Sequence, residues 1–421
     1  MKFVNLENIV IGLWALNLFK PEWILADYVP GMDFVKSTPT ILLYIALIYL
    51  LFSGRKIQLN KPYIIYFLAT LVTSFFAYNT GISRLVLRYV FESLILYTLT
   101  VSVINEEKYL QCIIKLYLLC FVFYGLLGIV GGGRVAFHIS LKNEDAFGPF
   151  MAMGVPMAFF AAYQAGVINY KLIAVCVLNI SCVVASFAKG AFLSLSTGIF
   201  YIWYRYQSKF IGLIIVVLGI SVVMAAASIM FKHAYWEEMA TILEANKEEV
   251  GVGDTGRQFL WKNGWRMYLD HPILGVGPRN YGFVLPRTTT STELDRYGYA
   301  SSYIYGRVPH NIYIQLISEM GMVGAISFFI LIFTFFKRNR QVRLKYNIYR
   351  KHNNQKNRKC SRELSDSMKR YNYLAIGLEG SLIVYLVNGL FYDLLYMHWF
   401  SDILILNSLV FKISSNSAIN E

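Results

Sequence analysis

Apolar runs of bilayer-crossing length recur from one end of this 421-residue chain to the other. A helix needs roughly 17–25 apolar residues to span the hydrocarbon core. The runs place about twelve spans, near 7–20, 38–53, 62–79, 82–104, 109–130, 148–166, 172–187, 190–205, 210–231, 312–336, 374–392 and 394–411. Composition agrees, since 56% of the residues are hydrophobic and only 15% are charged. A soluble domain of this size cannot bury that much apolar surface in one core, so the expected class is an all-α polytopic integral membrane protein. A soluble enzyme or a nucleic-acid protein is excluded on the same ground. Lys2 is followed by an apolar stretch without a small-x-small cleavage pattern, which reads as an uncleaved first span.

Lys and Arg set the expected orientation. Between Lys337 and Arg370 stand thirteen basic residues against two acids, Glu363 and Asp366. Retention of positive charge on the cytoplasmic side puts this segment inside the cell. Counting back through the spans, the loops with Arg55, Lys56 and Lys61, then Lys108, Lys171, and Arg205 with Lys209 fall on that side, as do both termini. The expected organisation is a membrane bundle of about nine helices over 1–231, a large outer loop over 232–311, and C-terminal membrane helices over 312–421 with a basic cytoplasmic loop at 337–373. Of the five cysteines, Cys112, Cys120, Cys176 and Cys182 lie in apolar runs and Cys360 in the basic segment, so neither a disulfide framework nor a Cys-x-x-Cys pair is present.

The outer loop carries nine basic and nine acidic residues. Within it, DTGRQFLWKNGWRMYLD (254–270) reads as a tryptophan-bearing amphipathic helix, capped by Asp254 or Thr255 and stopped by His271-Pro272. Arg257 is either an ordinary snorkelling arginine of that helix or a ligand contact. Gly275-Val276-Gly277-Pro278 forms a tight turn that lacks the Lys-Ser/Thr of a nucleotide loop.

Ionisable groups inside spans are costly and therefore informative. Arg84, Arg88 and Glu92 lie four apart on one helix face. Either Arg88 pairs with Glu92 while Arg84 snorkels, or both arginines address an anionic headgroup. Lys189 lies in the short outer turn SFAKGAF (186–192), against the positive-inside tendency, and Asn143, Glu144 and Asp145 lie in the outer loop 131–147. His310 stands at a helix start and is either a hydrogen-bonded cap or a base; Glu319 sits nine residues further, inside the tenth span. No Asp-x-Asp, His-x-x-x-His or Gly-x-Ser-x-Gly pattern supports a metal site or a serine nucleophile on the outer side. A histidine beside several cations suits another chemistry. The imidazole can deprotonate an attacking hydroxyl, and arginine and lysine can hold a diphosphate leaving group, with no metal required.

The string HNIYIQLISEMGMVG (310–324) resembles the His-Asn…Glu-x-Gly signature of the O-antigen ligase family, which embraces O-antigen ligases, polysaccharide polymerases and O-linked oligosaccharyltransferases. GRQFLW (256–261) and DHPILGVGPRNYG (270–282) resemble further elements of that family, and SFAKGAF stands where it usually has Ser-x-x-Arg-Gly. The resemblance covers roughly 140–340. It implies a GT-C-like membrane glycosyltransferase without cofactor, inverting at the anomeric carbon. The donor it implies is a glycan on undecaprenyl diphosphate, and the acceptor is lipid A–core, another glycan or a protein. By the same resemblance His310 corresponds to the catalytic base and Arg257 to a diphosphate contact. Lys189 takes the place of a second arginine, keeping the charge but losing the bidentate fork. Arg84 and Arg88 are further candidates for the donor, with Asn311, Glu319 and Asn143 in supporting roles. The preferred expectation is an O-antigen ligase of the bacterial inner membrane with its active site on the periplasmic face. A polymerase of the same superfamily is the alternative, and a protein O-oligosaccharyltransferase or a transporter stands further back.

Overall fold

A computed structural model of the protein describes residues 5–28, 32–136, 138, 141–163, 169–205, 254–297, 304–356 and 362–417. The expected span at 210–231, the beginning of the large loop and Cys360 lie outside the described residues. What is described is helical, with no strand among the described residues. In chain order the helices are α1 (Leu6–Phe19), α2 (Pro21–Tyr28), a 3-10 turn (Asp33–Ser37), α3 (Thr38–Phe52), α4 (Lys61–Phe75), α5 (Thr80–Val103), α6 (Glu107–Val130), α7 (Glu144–Tyr163), α8 (Tyr170–Ala185), α9 (Lys189–Arg205), α10 (Asp254–Asp270), α11 (Tyr281–Thr288), α12 (Ser291–Tyr297), α13 (Ile312–Lys356), α14 (Arg362–Asn388) and α15 (His398–Ser417). By length and composition, five helical segments can cross a membrane: Asp33–Phe52, Thr80–Val103, Glu107–Val130, Glu144–Tyr163 and Ile312–Lys351. α1 and α8 are apolar but shorter. The chain is a membrane protein whose regular structure, among the described residues, is all helical.

Local chemistry explains the helix starts. Asn5, Asn60, Asn79 and Asn169 each accept a backbone N–H of the first turn that follows, at α1, α4, α5 and α8. Side-chain periodicity then sorts the faces. On α3, Leu43, Ala46 and Leu50 are buried, whereas Ile41, Ile45, Ile48 and Phe52 are exposed, an apolar outer face that suits lipid. α7 is the innermost helix: every residue from Ala146 to Ala162 is buried. It packs on α8, α9 and α14. Pro149 and Pro156 interrupt its own hydrogen-bond ladder. Neighbouring helices contribute replacement donors close by, with Ser381 Oγ donating to the Met153 carbonyl at 2.7 Å and Cys176 Sγ to the Val155 carbonyl at 3.7 Å.

The bundle has two chemically distinct ends. At one, the last turn of α9 meets α13 and α14 through Arg205, Arg343 and Glu379, and Arg370 of α14 pairs with Glu107 of α6 at 3.0 Å. The basic segment expected as a loop at 337–373 is mostly helix in its described part, because α13 continues to Lys356 and α14 begins at Arg362. Lys, Arg, Gln and Leu lose little rotamer freedom in a helix. The extension is also anchored: Arg338 donates to Tyr97 and Ser408, and Lys345 donates to Ser415 at 2.7 Å.

The other end is built around a break in α13. Gly321 has φ 58° and ψ −157°, outside the helical region. The segment 272–281 lies in that break. Val276 N–H donates to the Ser318 carbonyl (2.9 Å) and Gly277 N–H to the Glu319 carbonyl (2.8 Å), while Met322 N–H donates to the Pro272 carbonyl (2.9 Å). Gly275, at φ 67°, lies so close that an added Cβ would come within 2.4 Å of the Glu319 carbonyl carbon. The Glu319 carboxylate completes the joint. It accepts from Arg279 N–H at 2.7 Å, from Tyr281 N–H at 3.3 Å and from the Tyr396 hydroxyl at 2.6 Å. An acid inside an apolar helix is thereby matched by donors that would otherwise be orphaned.

Gly321→Ala tests this joint. A Cβ there would lie 2.5 Å from the Ile273 backbone, and the backbone conformation is one that glycine alone adopts without a cost of order 1–3 kcal/mol. The expected outcome is a lower unfolding temperature for the purified protein, with new proteolytic cleavage at 272–281. An unchanged melt and digestion pattern would show that the break tolerates a side chain.

Candidate active site

At the end of the bundle opposite the Arg205–Glu379 pair, a cavity of about 180 Å³ is lined by Asp145, Lys189, Arg257, Asn388 and Tyr392 among others. Three helices present their first turns to it: α7 through Asp145, α9 through Lys189, Gly190 and Ala191, and α10 through Arg257. A helix N-terminus carries unsatisfied N–H groups and partial positive charge, so it favours an anion. Lys189 and Arg257 add full charges to those three ends. The cavity is therefore electropositive, with Asp145 the one carboxylate among its lining residues.

His310 adjoins this cavity. Its ring centroid is 5.9 Å from that of Tyr392. Its backbone adopts φ 49°, a left-handed conformation that is uncommon for a residue with a Cβ. Neighbours hold it there. Trp261 Nε1 of α10 donates to the Pro309 carbonyl at 2.8 Å. Asn311 caps α13 by accepting from Tyr313 and Ile314 N–H, and its Nδ2 donates to the Leu390 carbonyl at 3.2 Å. Ile312 N–H donates to the Gly389 carbonyl at 2.7 Å. The turn at 389–392 therefore fixes the base of the histidine on one side and supplies Phe391 and Tyr392 to the cavity on the other. Burial, then the positive charges of Arg257 and Arg307, hold the His310 imidazole down at about 4, so it is neutral at physiological pH. A neutral imidazole is the form that can accept a proton.

The residues expected from the sequence fall into two groups. Lys189 and Arg257 line the cavity, with His310 beside it. Asn143 caps α7 by accepting from the N–H of the wall residue Asp145 at 2.9 Å, and Glu319 acts behind the site through the joint at 272–281. Arg84 and Arg88 do not line the cavity. They lie on the exposed face of α5, where Arg88 Nε pairs with Glu92 at 2.7 Å and its Nη2 donates to Thr40 at 2.9 Å. Among the described residues, no group of three or more His, Cys, Asp or Glu is arranged to hold a metal ion.

One wall residue carried little signal in the sequence. Asn388 is 1% exposed, lines the cavity, and neither its Oδ1 nor its Nδ2 has a hydrogen-bond partner. An unpartnered buried amide facing a cavity is costly unless a ligand satisfies it. As one polar residue ending an apolar run, it resembled a helix terminus. Asp393 follows Tyr392, and burial holds its carboxyl up at about 6. His138 and His398 meet elsewhere, 6.4 Å apart, near the Asn17–Asp402 hydrogen bond of 2.8 Å.

Fold and site together define a class: a helical membrane protein with a cationic cavity and a neutral histidine at one end of its bundle. Residues 174–329 match the family model described as O-antigen ligase. This segment contains Lys189, Arg257, His310 and Glu319, whereas Asp145, Asn388 and Tyr392 lie outside it. None of the curated proteins compared matches the chain.

The electrostatic coupling is open to a measurement that needs no substrate. Diethyl pyrocarbonate acylates neutral imidazole, so the pH dependence of His310 modification, followed by mass spectrometry, reports its titration. Arg257→Gln removes the larger of the two depressing charges and should move the acid midpoint upward from about 4 toward 6.5. A midpoint unchanged by the substitution would place Arg257 too far away to act.

Proposed function

We propose that the protein transfers a glycan from undecaprenyl diphosphate to an acceptor hydroxyl. The setting is the periplasmic face of a bacterial inner membrane, on a GT-C-like bundle of about twelve spans with both termini in the cytoplasm. The observation that carries this reading is the convergence of Lys189 and Arg257 on one cavity beside a neutral His310, within the segment that matches the O-antigen ligase family model. Arg257 and Lys189 hold the diphosphate, aided by the first turns of α7, α9 and α10. His310 takes the proton from the acceptor hydroxyl as its oxygen attacks the anomeric carbon from the face opposite the diphosphate. The sugar–phosphate bond breaks with inversion, and the departing diphosphate keeps the electron pair in the field of the two cations. In this reading protein cations do the work of charge stabilisation and no metal or other cofactor is assigned. Lipid A–core is the preferred acceptor, which makes the reaction O-antigen ligation. Growth of a second glycan chain, the polymerase reaction, is the alternative.

His310→Ala should lower transfer by about 10²–10⁴-fold, the usual contribution of a positioned base, while the protein still inserts in the membrane. An undiminished polysaccharide ladder in a complemented null strain would refute the assignment. Arg257→Ala should raise the donor concentration needed for half-maximal rate. Lys189→Arg, which supplies a bidentate fork at the same charge, should preserve or improve transfer. A null strain also separates the two acceptors. Bare core with accumulated lipid-linked polymer marks a ligase, and core bearing a single repeat unit marks a polymerase.

A further inference from the structure

A second cavity, of about 380 Å³, lies at the far end of α9 and is lined by Arg205, Arg340, Arg343, Arg350 and Asn372, with Leu344 and Ile376 as apolar wall. Lys189 and Arg205 are the first and last residues of α9, so the two cavities are separated by roughly 25 Å, the length of 17 helical residues. The second cavity therefore sits at the opposite boundary of the bundle and has no part in the site of His310.

Its charge is not balanced from within. One carboxylate, Glu379, reaches Arg343 at 3.1 Å and Arg205 at 3.3 Å. Arg340 and Arg350 form no ion pair among the described residues. Four guanidinium groups against one acid leave a strong preference for an anion, and guanidinium forks match phosphate oxygens two at a time. The neighbouring surface indicates what carries that phosphate. On α13, Met322, Ile326, Phe329 and Phe333 are exposed at helical spacing along one face. Continuing by threes and fours, that face runs through Lys337 to Arg340 and then to Leu344, which is 47% exposed in the cavity wall. An apolar track thus ends in an arginine pocket. A free phosphate would use the arginines alone, whereas a phospholipid would use both.

We propose that this cavity binds the phosphate headgroup of an acidic phospholipid, with its acyl chains lying along the exposed face of α13. The site requires no glycan and no nucleotide, and it is independent of the transfer reaction. Basic pockets between membrane helices hold acidic headgroups by this combination of charge and apolar contact.

The test uses the full-length protein purified in detergent, with native mass spectrometry and thermal unfolding as readouts. The wild type should retain phosphatidylglycerol or cardiolipin through a wash at moderate salt and should melt at a higher temperature in their presence, with phosphatidylcholine giving neither effect. The Arg340→Gln/Arg350→Gln variant should bind the acidic lipid at least fivefold more weakly. Lys56→Gln/Lys171→Gln removes the same charge from two exposed positions outside the cavity and should bind like the wild type. Equal losses in both variants would reveal mere surface attraction and overturn the proposal. So would inorganic diphosphate that stabilises the protein as well as the lipid does and displaces it, since the ligand would then be a soluble phosphate. If the arginine variant alone fails to fold, Arg350→Gln by itself, on the exposed part of α13, gives the same comparison.

Discussion

One carboxylate holds the working end of this molecule together. Glu319 is 2% exposed within a helix that otherwise faces apolar surroundings, and it accepts from two backbone N–H groups of the 272–281 segment and from the Tyr396 hydroxyl. A buried carboxylate without donors would be severely unfavourable, and buried N–H groups without an acceptor cost about 1–3 kcal/mol each. Each side needs the other, so the loop, the break in α13 and the segment after α14 form one unit. His310 lies just ahead of the first turn of α13, and the turn at 389–392 just ahead of Tyr396 on the connection after α14. The spacing between histidine and glutamate in the sequence thereby becomes a spacing between a chemical group and its foundation.

Much of the helical plan was legible because apolar runs and asparagine caps are local signals. Starts at Leu6, Thr38, Lys61 and Thr80 fall within two residues of the expected ones. The basic segment after residue 336 was harder to read. Its charge suggested a loop, yet Lys and Arg extend a helix readily when neighbours such as Ser415 and Ser408 receive their heads.

The site was legible where charge stood out against hydropathy, as at Lys189, or where a motif stood out, as at Arg257 and His310. Direction was not legible. Arg84 and Arg88 share a helix face with each other, but Ser83, Val86 and Val90 form the buried face of α5, and tertiary contacts alone decide which side turns inward. Asn388 was silent for a related reason. A single amide in an apolar stretch has no pattern, and its significance comes from the unfilled space in front of it.

The left-handed, cation-flanked setting of His310 has one more consequence. Burial first, then the charges of Arg257 and Arg307, weaken the imidazole as a proton acceptor. An anion arriving among those guanidinium groups cancels their field, and the affinity of the ring for a proton rises accordingly. In the proposed reaction, the anionic donor itself would strengthen the imidazole as a proton acceptor.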